Sequence, residues 1–216
     1  SIYSEYMPTL DQAAVRRAQI AEQYMQANTD LYYDYIYEEL LAEKSSHQLY
    51  YRLDTHWNAY GALTAADVIN GMLGLPPIDR SLLTETYTVF ENPDLVAMAG
   101  TAGDFGTELR YDLNYNLQVT QTQAMNAASD GTYYEFVTPE APCAGTLVLI
   151  GDSFRLGLLD YLPREFTHVV FIDQLANWTD YWDVIMSADK IIIEEAERNE
   201  YFFVSIVESI ISYIYS

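Results

Sequence analysis

Two stretches of the sequence carry residues that could perform acyl transfer. The first is Gly151-Asp152-Ser153, which follows the apolar run 146–150 and precedes a segment able to form a helix. A serine on a tight turn between a buried strand and a helix stands clear of the sheet, and its N–H lies where developing negative charge is favoured. Those are the requirements for a nucleophile with an oxyanion donor beside it. The alternative is a turn that only joins two elements.

The second stretch is 50–61, in which Asp54 and His56 are two residues apart. On an extended chain this spacing puts both side chains on one face. A carboxylate beside an imidazole fixes its tautomer and stabilises the imidazolium. Alone, the pair could be a histidine satisfied within the core. Together with the strand-ending serine, it predicts a Ser-His-Asp triad.

Two other interpretations stay open. A non-catalytic carbohydrate-binding or scaffold module would keep the fold with the three triad side chains out of contact. A cation site would combine Asp54, His56 and one more acid, although His47 and His168 lack ligand spacing. The glycine-rich loop 100–106 has neither the lysine nor the strand-to-helix context of a phosphate loop, so nucleotide binding is rejected. We expect no metal and no cofactor.

Composition narrows the class of protein. The 216 residues suffice for a sizeable core, and half of them are apolar. The formal charge of −22, from 32 acidic and 10 basic residues, argues against nucleic acid as a partner. An anionic polymer would also be repelled unless a local basic site overrides the field. Neither a signal peptide nor an apolar run of membrane-spanning length is visible.

Apolar periodicity organises the chain into alternating elements. Helices are predicted over 11–26, 31–44, 60–73, 181–187 and 200–215, and strands over 47–53, 84–90, 113–122, 131–137, 146–150, 167–172 and 190–193. Strand-helix alternation in the last third argues for a parallel sheet with both faces covered. Sites in such sheets lie at the carboxyl ends of strands, where Ser153, Asp173 and Glu194 fall.

These residues together resemble a known group. Asp54-Thr-His56-Trp57, followed about 95 residues later by Gly151-Asp152-Ser153-Phe154, is similar to the SGNH-hydrolase-like domain of alginate O-acetyltransferases and to the bacterial DHHW proteins. Weaker similarities are Gly103-Asp104-Phe105-Gly106, the pair Glu197-Arg198, and the segment 1–8.

The resemblance implies an α/β, flavodoxin-like SGNH fold, with a parallel sheet and helices on both faces. It implies a single domain over 1–216 with an irregular insert at about 79–145. The chain starts where the family's first βα unit would end, so we expect it to lack that unit. The resemblance makes Ser153 the nucleophile, His56 the base and Asp54 its orienting acid.

Five further residues are candidates for substrate binding. Trp57 would line the acceptor site or pack against the histidine. Arg155 would steer an anionic group or form a surface salt bridge. Asn177 is a candidate second oxyanion donor or a simple loop residue. Tyr60 and Asp104 belong to the segments that carry the resemblance.

The implied activity is acyl transfer through an acetyl-serine, as a carbohydrate O-acetyltransferase or an acetyl esterase. The implied partners are a carbohydrate or polysaccharide acceptor, an acetyl donor, and a membrane-bound protein that supplies the donor. The implied location is extracytoplasmic, with a signal or anchor upstream of this chain.

Overall fold

The strand that leads to Ser153 lies inside a mixed five-stranded sheet. In the computed structural model this strand is β5, Cys143–Gly151, and the sheet order is β3-β4-β6-β5-β7. β5 is parallel to both β6 and β7, whereas β4 is antiparallel to β6 and β3 is antiparallel to β4. The structure describes residues 2–6, 15–91, 93–101, 107–116, 122–124 and 132–215, with only the backbone at 122–124, 178 and 200.

The bounds of the elements are as follows. The helices are α1 (Arg17–Asn28), α2 (Tyr37–Glu43), α3 (Ala59–Met72), α4 (Asp94–Ala99), α5 (Leu162–Glu165), α6 (Trp182–Met186) and α7 (Glu200–Ile214). The other strands are β1 (Leu83–Phe90), β2 (Glu108–Tyr115), β3 (Thr122–Ala124), β4 (Tyr133–Val137), β6 (Phe166–Asp173) and β7 (Lys190–Glu194). A 3-10 helix, Ser153–Asp160, follows β5 directly.

Both faces of β5 are covered, as a continuous apolar run requires. Leu147 and Leu149 belong to a cluster that includes the buried face of α3. Val148 and Ile150 point to the other side, into a cluster with α6 and α7. The predicted fold class is therefore confirmed, and β5 brings its carboxyl end to the same edge as those of β6 and β7.

Part of the irregular region 79–145 belongs to the main sheet, because β3 and β4 extend it beyond β6. The other part forms a separate antiparallel ribbon in which β1 pairs with β2 from Leu83–Tyr115 to Phe90–Glu108. This ribbon contacts α3 and the 3-10 helix after β5 through β2, so it supports the side of the molecule that carries the serine.

Two predicted elements are wrong. The helix predicted over 31–44 is only α2, because the Tyr35 N–H donates to the Glu22 carboxylate at 2.9 Å instead of continuing a helical ladder. Leu31, the first residue of the predicted helix, is 59% exposed. The strand predicted over 47–53 is reduced to one isolated bridge between Tyr50 and Trp57.

Candidate active site

The turn that presents Ser153 is held by neighbouring strands. The Asp152 N–H donates to the Glu194 carbonyl of β7 at 3.3 Å, and the Gln174 N–H donates to the Gly151 carbonyl at 2.8 Å. These bonds fix the turn from both sides of β5. Ser153 itself is exposed, as the strand-to-helix turn predicts.

The Asp152 side chain ties this turn to the segment after β7. One carboxylate oxygen accepts from the Phe154 N–H at 2.8 Å and caps the 3-10 helix. The other accepts from the Ala196 N–H at 3.1 Å and from the Asn199 side-chain amide at 2.8 Å. Asp152 is 2% exposed, so its role is to fix the turn and not to contact a substrate.

The loop 52–56, which carries Asp54 and His56, is irregular and not extended as predicted. Its chain bends because Asp54 Oδ1 accepts from the His56 N–H at 3.0 Å, a local side-chain-to-backbone bond typical of aspartate in turns. The same oxygen lies 2.7 Å from His56 Nδ1. The bend, and not strand alternation, brings the two side chains together.

Two carboxylates from the insert complete the support of this loop. Glu108, at the start of β2, accepts from the N–H groups of Arg52 at 2.6 Å and Leu53 at 2.8 Å, and it is 3% exposed. Asp94, at the start of α4, accepts from the Thr55 N–H at 2.8 Å and from the Thr55 hydroxyl. In return the Asp94 N–H donates to Asp54 Oδ2 at 2.9 Å.

The three predicted catalytic residues lie in one hydrogen-bonded chain. His56 Nε2 is 2.7 Å from Ser153 Oγ, and His56 Nδ1 is 2.7 Å from Asp54 Oδ1. Burial would raise the pKa of Asp54, but hydrogen bonds from the Asp94 N–H, the His56 N–H and the His56 ring lower it below its ordinary value. Asp54 therefore stays ionised beside the imidazole, where a carboxylate stabilises a protonated ring.

Aromatic rings surround the imidazole. The Phe154 ring centroid is 5.0 Å from that of His56 and 5.2 Å from that of Trp57. Trp57 is only 6% exposed and lies against Gly157, where a Cβ would come within 2.5 Å of the indole Nε1. Of the two roles predicted for Trp57, this position favours packing over lining the acceptor site.

Arg155 lies beneath the nucleophile turn and is 1% exposed. It forms an ion pair with Asp173 at 2.6 Å and donates to the Asp152 carbonyl at 2.8 Å. The predicted surface salt bridge is thus a buried one, and the guanidinium does not reach a substrate from there. The carboxylates of Glu194 and Glu195 lie close enough to Asp152 and Arg155 to interact electrostatically with both.

The other predicted binding residues lie apart from the triad contacts. Tyr60 bonds through its hydroxyl to Glu85, stacks on His47 with centroids 3.8 Å apart, and lines a separate cavity of about 390 Å³. Asn177 bonds to Thr179 at 2.7 Å and Asp180 at 2.9 Å within its own turn. Asp104, with the segment 102–106, lies outside the described residues.

Sequence reasoning missed Asp94, Glu108 and Asn199. The two acids are 40 and 54 positions from Asp54, and nothing local distinguishes them among 32 acidic residues. Asn199 follows the Glu197-Arg198 pair of the family pattern, which is the one signal that could have directed attention to it.

Asp54, His56 and Asp94 also form the three-residue group that a cation site would need. Their ligand atoms lie within 4.8 Å of one another. Each carboxylate oxygen of the two acids already accepts an N–H or O–H group of this loop or of α4. A cation would have to displace these bonds, so the arrangement favours orientation of the imidazole over metal binding.

The family assignment agrees with this geometry. The sequence profile of the SGNH hydrolase-like domain of the acetyltransferase AlgX matches residues 1–176, a span that includes all three residues of the hydrogen-bonded chain. The chain belongs to this family. Membership of the AlgX acetyltransferase family indicates an enzyme of the O-acetyltransferase type. Among curated protein sequences, none matches the chain significantly.

Solved structures share the fold of this AlgX-family chain at low identity. A DHHW family protein from Eubacterium siraeum superposes with a TM-score of 0.68 and 13% identity, over 90% of this chain and 74% of that chain. PatB1 from Bacillus cereus gives 0.63 and 14%, over 92% and 79%. The O-acetyltransferase domain of AlgJ from Pseudomonas putida gives 0.50 and 16%, over 91% and 70%.

Within the described residues, no helix is long and apolar enough to cross a membrane.

Proposed function

We propose that the chain is a polysaccharide O-acetyltransferase that works through an acetyl-serine intermediate on Ser153. The observation that carries the proposal is the continuous hydrogen-bonded series Asp54 Oδ1–His56 Nδ1 and His56 Nε2–Ser153 Oγ, with 2.7 Å at each of the two contacts between side chains. An inactive module would have these side chains out of contact. The AlgX family assignment and the name of the AlgJ domain support the acyl group and the carbohydrate class.

The first half-reaction loads the serine. With Nδ1–H donating to Asp54, Nε2 is free to accept the Ser153 proton while Oγ attacks the acetyl carbonyl. The Ser153 N–H is the first oxyanion donor in this proposal. Collapse of the tetrahedral intermediate breaks the bond to the donor's leaving oxygen, which takes the proton from the imidazolium.

The second half-reaction unloads the serine. A sugar hydroxyl gives its proton to His56 and attacks the acetyl carbonyl, and Ser153 Oγ leaves with that proton. Water in place of the sugar would give the esterase outcome. We also propose that this reaction takes place outside the cytoplasm, with acetyl groups supplied by a membrane-bound partner.

The test is removal of the nucleophile. Ser153→Ala should lower release of p-nitrophenol from p-nitrophenyl acetate by on the order of 10⁴-fold or more, as for triad serines elsewhere. Ser187→Ala, an exposed serine at the end of α6, is the matched control and should keep full turnover.

Trapping gives an independent readout. PatB1 has been crystallised with a sulfonyl adduct, so a sulfonyl fluoride is a suitable reagent here. Mass spectrometry should locate the adduct on Ser153. Undiminished turnover by Ser153→Ala, or an adduct on another residue, would remove Ser153 from the mechanism.

A further inference from the structure

Two carboxylates lie beside the same nitrogen of the His56 ring. Asp54 Oδ1 is 2.7 Å from His56 Nδ1, which is hydrogen-bond distance, and Asp94 Oδ2 is 3.8 Å from that nitrogen, which is ion-pair distance. The side chain of Asp94 is 27% exposed, so solvent and salt screen its charge only in part. A Ser-His-Asp mechanism needs one carboxylate, so the second one requires an explanation of its own.

The backbone of Asp94 is fixed at the start of α4. Pro93 is buried, and its ring holds φ at −61° immediately before the helix begins. The N–H of the next helical residue, Leu95, donates to the Leu53 carbonyl at 3.2 Å. The first turn of α4 is therefore bonded to the loop 52–56.

The carboxylate of Asp94 is fixed as well. Its Oδ1 accepts from the Thr55 N–H at 2.8 Å, and its Oδ2 accepts from the Thr55 hydroxyl. Because Thr55 lies between Asp54 and His56 in the sequence, both oxygens are bonded to the loop that carries the ring. A charge held in this way does not have to reorganise when an opposite charge forms nearby, which is the condition for electrostatic stabilisation of a transition state.

Support of the loop alone would not require an acid at this position. Asparagine and serine oxygens also accept from N–H groups at the start of helices. A carboxylate oxygen of Asp94 lies within 4.8 Å of one of Asp54, where two negative charges repel. A positive charge on the neighbouring ring would offset that repulsion, and His56 gains this charge when it takes the Ser153 proton.

We propose that Asp94 is a second acid acting on His56, which stabilises the positive charge that the ring gains as Ser153 attacks the acetyl carbonyl. Asp54 accepts the Nδ1–H and sets the tautomer, whereas Asp94 contributes its charge from the longer distance. Because Asp94 acts through the imidazole and does not touch the reacting atoms, it is a positioning residue. This inference rests on the proposed function, since it requires His56 to be the base for Ser153.

Removal of the charge with little change of shape tests the inference. Asp94→Asn keeps an oxygen for the Thr55 N–H. It should lower kcat for p-nitrophenyl acetate about tenfold with KM nearly unchanged, because the ring is charged in the transition state and not in the substrate complex. Asp94→Glu restores the charge and should recover most of the loss. Asp79→Asn is the matched control: Asp79 accepts from the Ser81 N–H at 2.9 Å beside a short helix, and this variant should keep its kcat.

An Asp54→Asn background separates a direct effect on the ring from an effect through Asp54. In that background Asp94→Asn should lower the remaining Ser153-dependent kcat by a similar factor. Asp94→Ser is a second uncharged variant, which should reproduce the loss if Asp94→Asn does not fold.

Three results would overturn the inference: full kcat in the uncharged variants, a loss that Asp94→Glu does not recover, or no further loss in the Asp54→Asn background. Undiminished turnover by Ser153→Ala would instead contradict the proposed function. The two failures are therefore distinguishable in the same assay.

Discussion

The turn that carries Ser153 and the loop that carries His56 meet across a contact of 2.7 Å, yet they are built differently. The turn is an extension of the sheet, since Gly151 pairs with Asp173 on one side and with Glu194 on the other. The loop 52–56 belongs to no sheet or helix, and its N–H groups bond to carboxylates instead.

Carboxylates also behave differently in the two regions. At the loop, each is met by N–H donors, and these donors lower the pKa of Asp54 against the effect of burial. Beneath the turn, acids crowd together with Arg155 as a nearby cation. There burial, together with the charges of Asp152 and Glu195, raises the pKa of Glu194 well above its ordinary value. In an acid-rich sequence, carboxylates thus accept hydrogen bonds from backbone N–H groups in one region and repel one another in the other.

Among substitutions that compare the two regions, Gly151→Ala, on the turn that carries Ser153, should have the largest effect. A Cβ at this position would lie 2.5 Å from the Glu194 carbonyl oxygen, which is backbone and cannot rotate away. We expect the free energy of unfolding to fall by about 3 kcal/mol, the upper range for overpacking, and kcat to fall on the order of 100-fold as Ser153 moves. Urea denaturation and the p-nitrophenyl acetate assay would measure the two.

Gly71→Ala is the matched control for this substitution. No atom lies within 4 Å of a Cβ at Gly71, which is inside α3. The alanine should raise the free energy of unfolding by about 0.5–1 kcal/mol through helix propensity. If Gly151→Ala were as stable and active as wild type, the strand pairing would not be what positions the serine.

Glu108→Gln changes a contact of the loop 52–56. Compared with Gly151→Ala, it should have a smaller effect on stability and a comparable effect on turnover. The carboxylate accepts one N–H at each oxygen, whereas a carboxamide has a single oxygen and turns its NH₂ toward the other donor. We expect a loss of about 2 kcal/mol in unfolding free energy and a kcat on the order of 100-fold lower, with KM nearly unchanged.

Glu165→Ala separates positioning from simple destabilisation, because it leaves the buried Tyr115 hydroxyl without its acceptor. Glu165 is also buried, 7% exposed, and accepts from the Tyr115 hydroxyl at 2.7 Å. It precedes β6 at the opposite edge of the sheet from Ser153. The control should lose similar stability and keep its kcat. An equal fall of kcat in both variants would show that Glu108 acts on activity only through stability.

The same contrast explains which parts were predictable from sequence. The runs 146–150, 167–172 and 190–193 predicted β5, β6 and β7 to within a few residues. β5 is apolar at successive positions because both of its faces are covered, whereas β7 is an edge strand that begins with the exposed residues Lys190 and Ile191. The loop could not be predicted in this way. Its shape depends on Asp94 and Glu108, which are remote in sequence and are typical surface residues by type. Likewise, the helical turns predicted over 31–36 do not form, because the Glu22 carboxylate accepts the Tyr35 N–H.

The smallest expected effect concerns pH and the acids beneath the turn. Burial first, and then the charges of Asp152 and Asp173, raise the pKa of Glu195 from 4.5 to about 8. Since the folded state holds this proton more tightly than the unfolded chain, the stabilising contribution is complete below pH 4.5 and is lost as pH rises through about 8. Glu195→Gln, neutral at every pH, should remove that loss.

Urea denaturation at about pH 5 and about pH 8.5 would measure the difference between wild type and Glu195→Gln. Wild type should lose roughly 1 kcal/mol more than the variant over this range, a value discounted for the partial exposure of the side chain. Glu38→Gln, on the exposed surface of α2, should follow the wild-type pH profile. Parallel profiles for wild type and Glu195→Gln would mean that burial and the neighbouring acids do not raise the pKa of Glu195, and the contrast with the N–H-bonded carboxylates of the loop would then be lost.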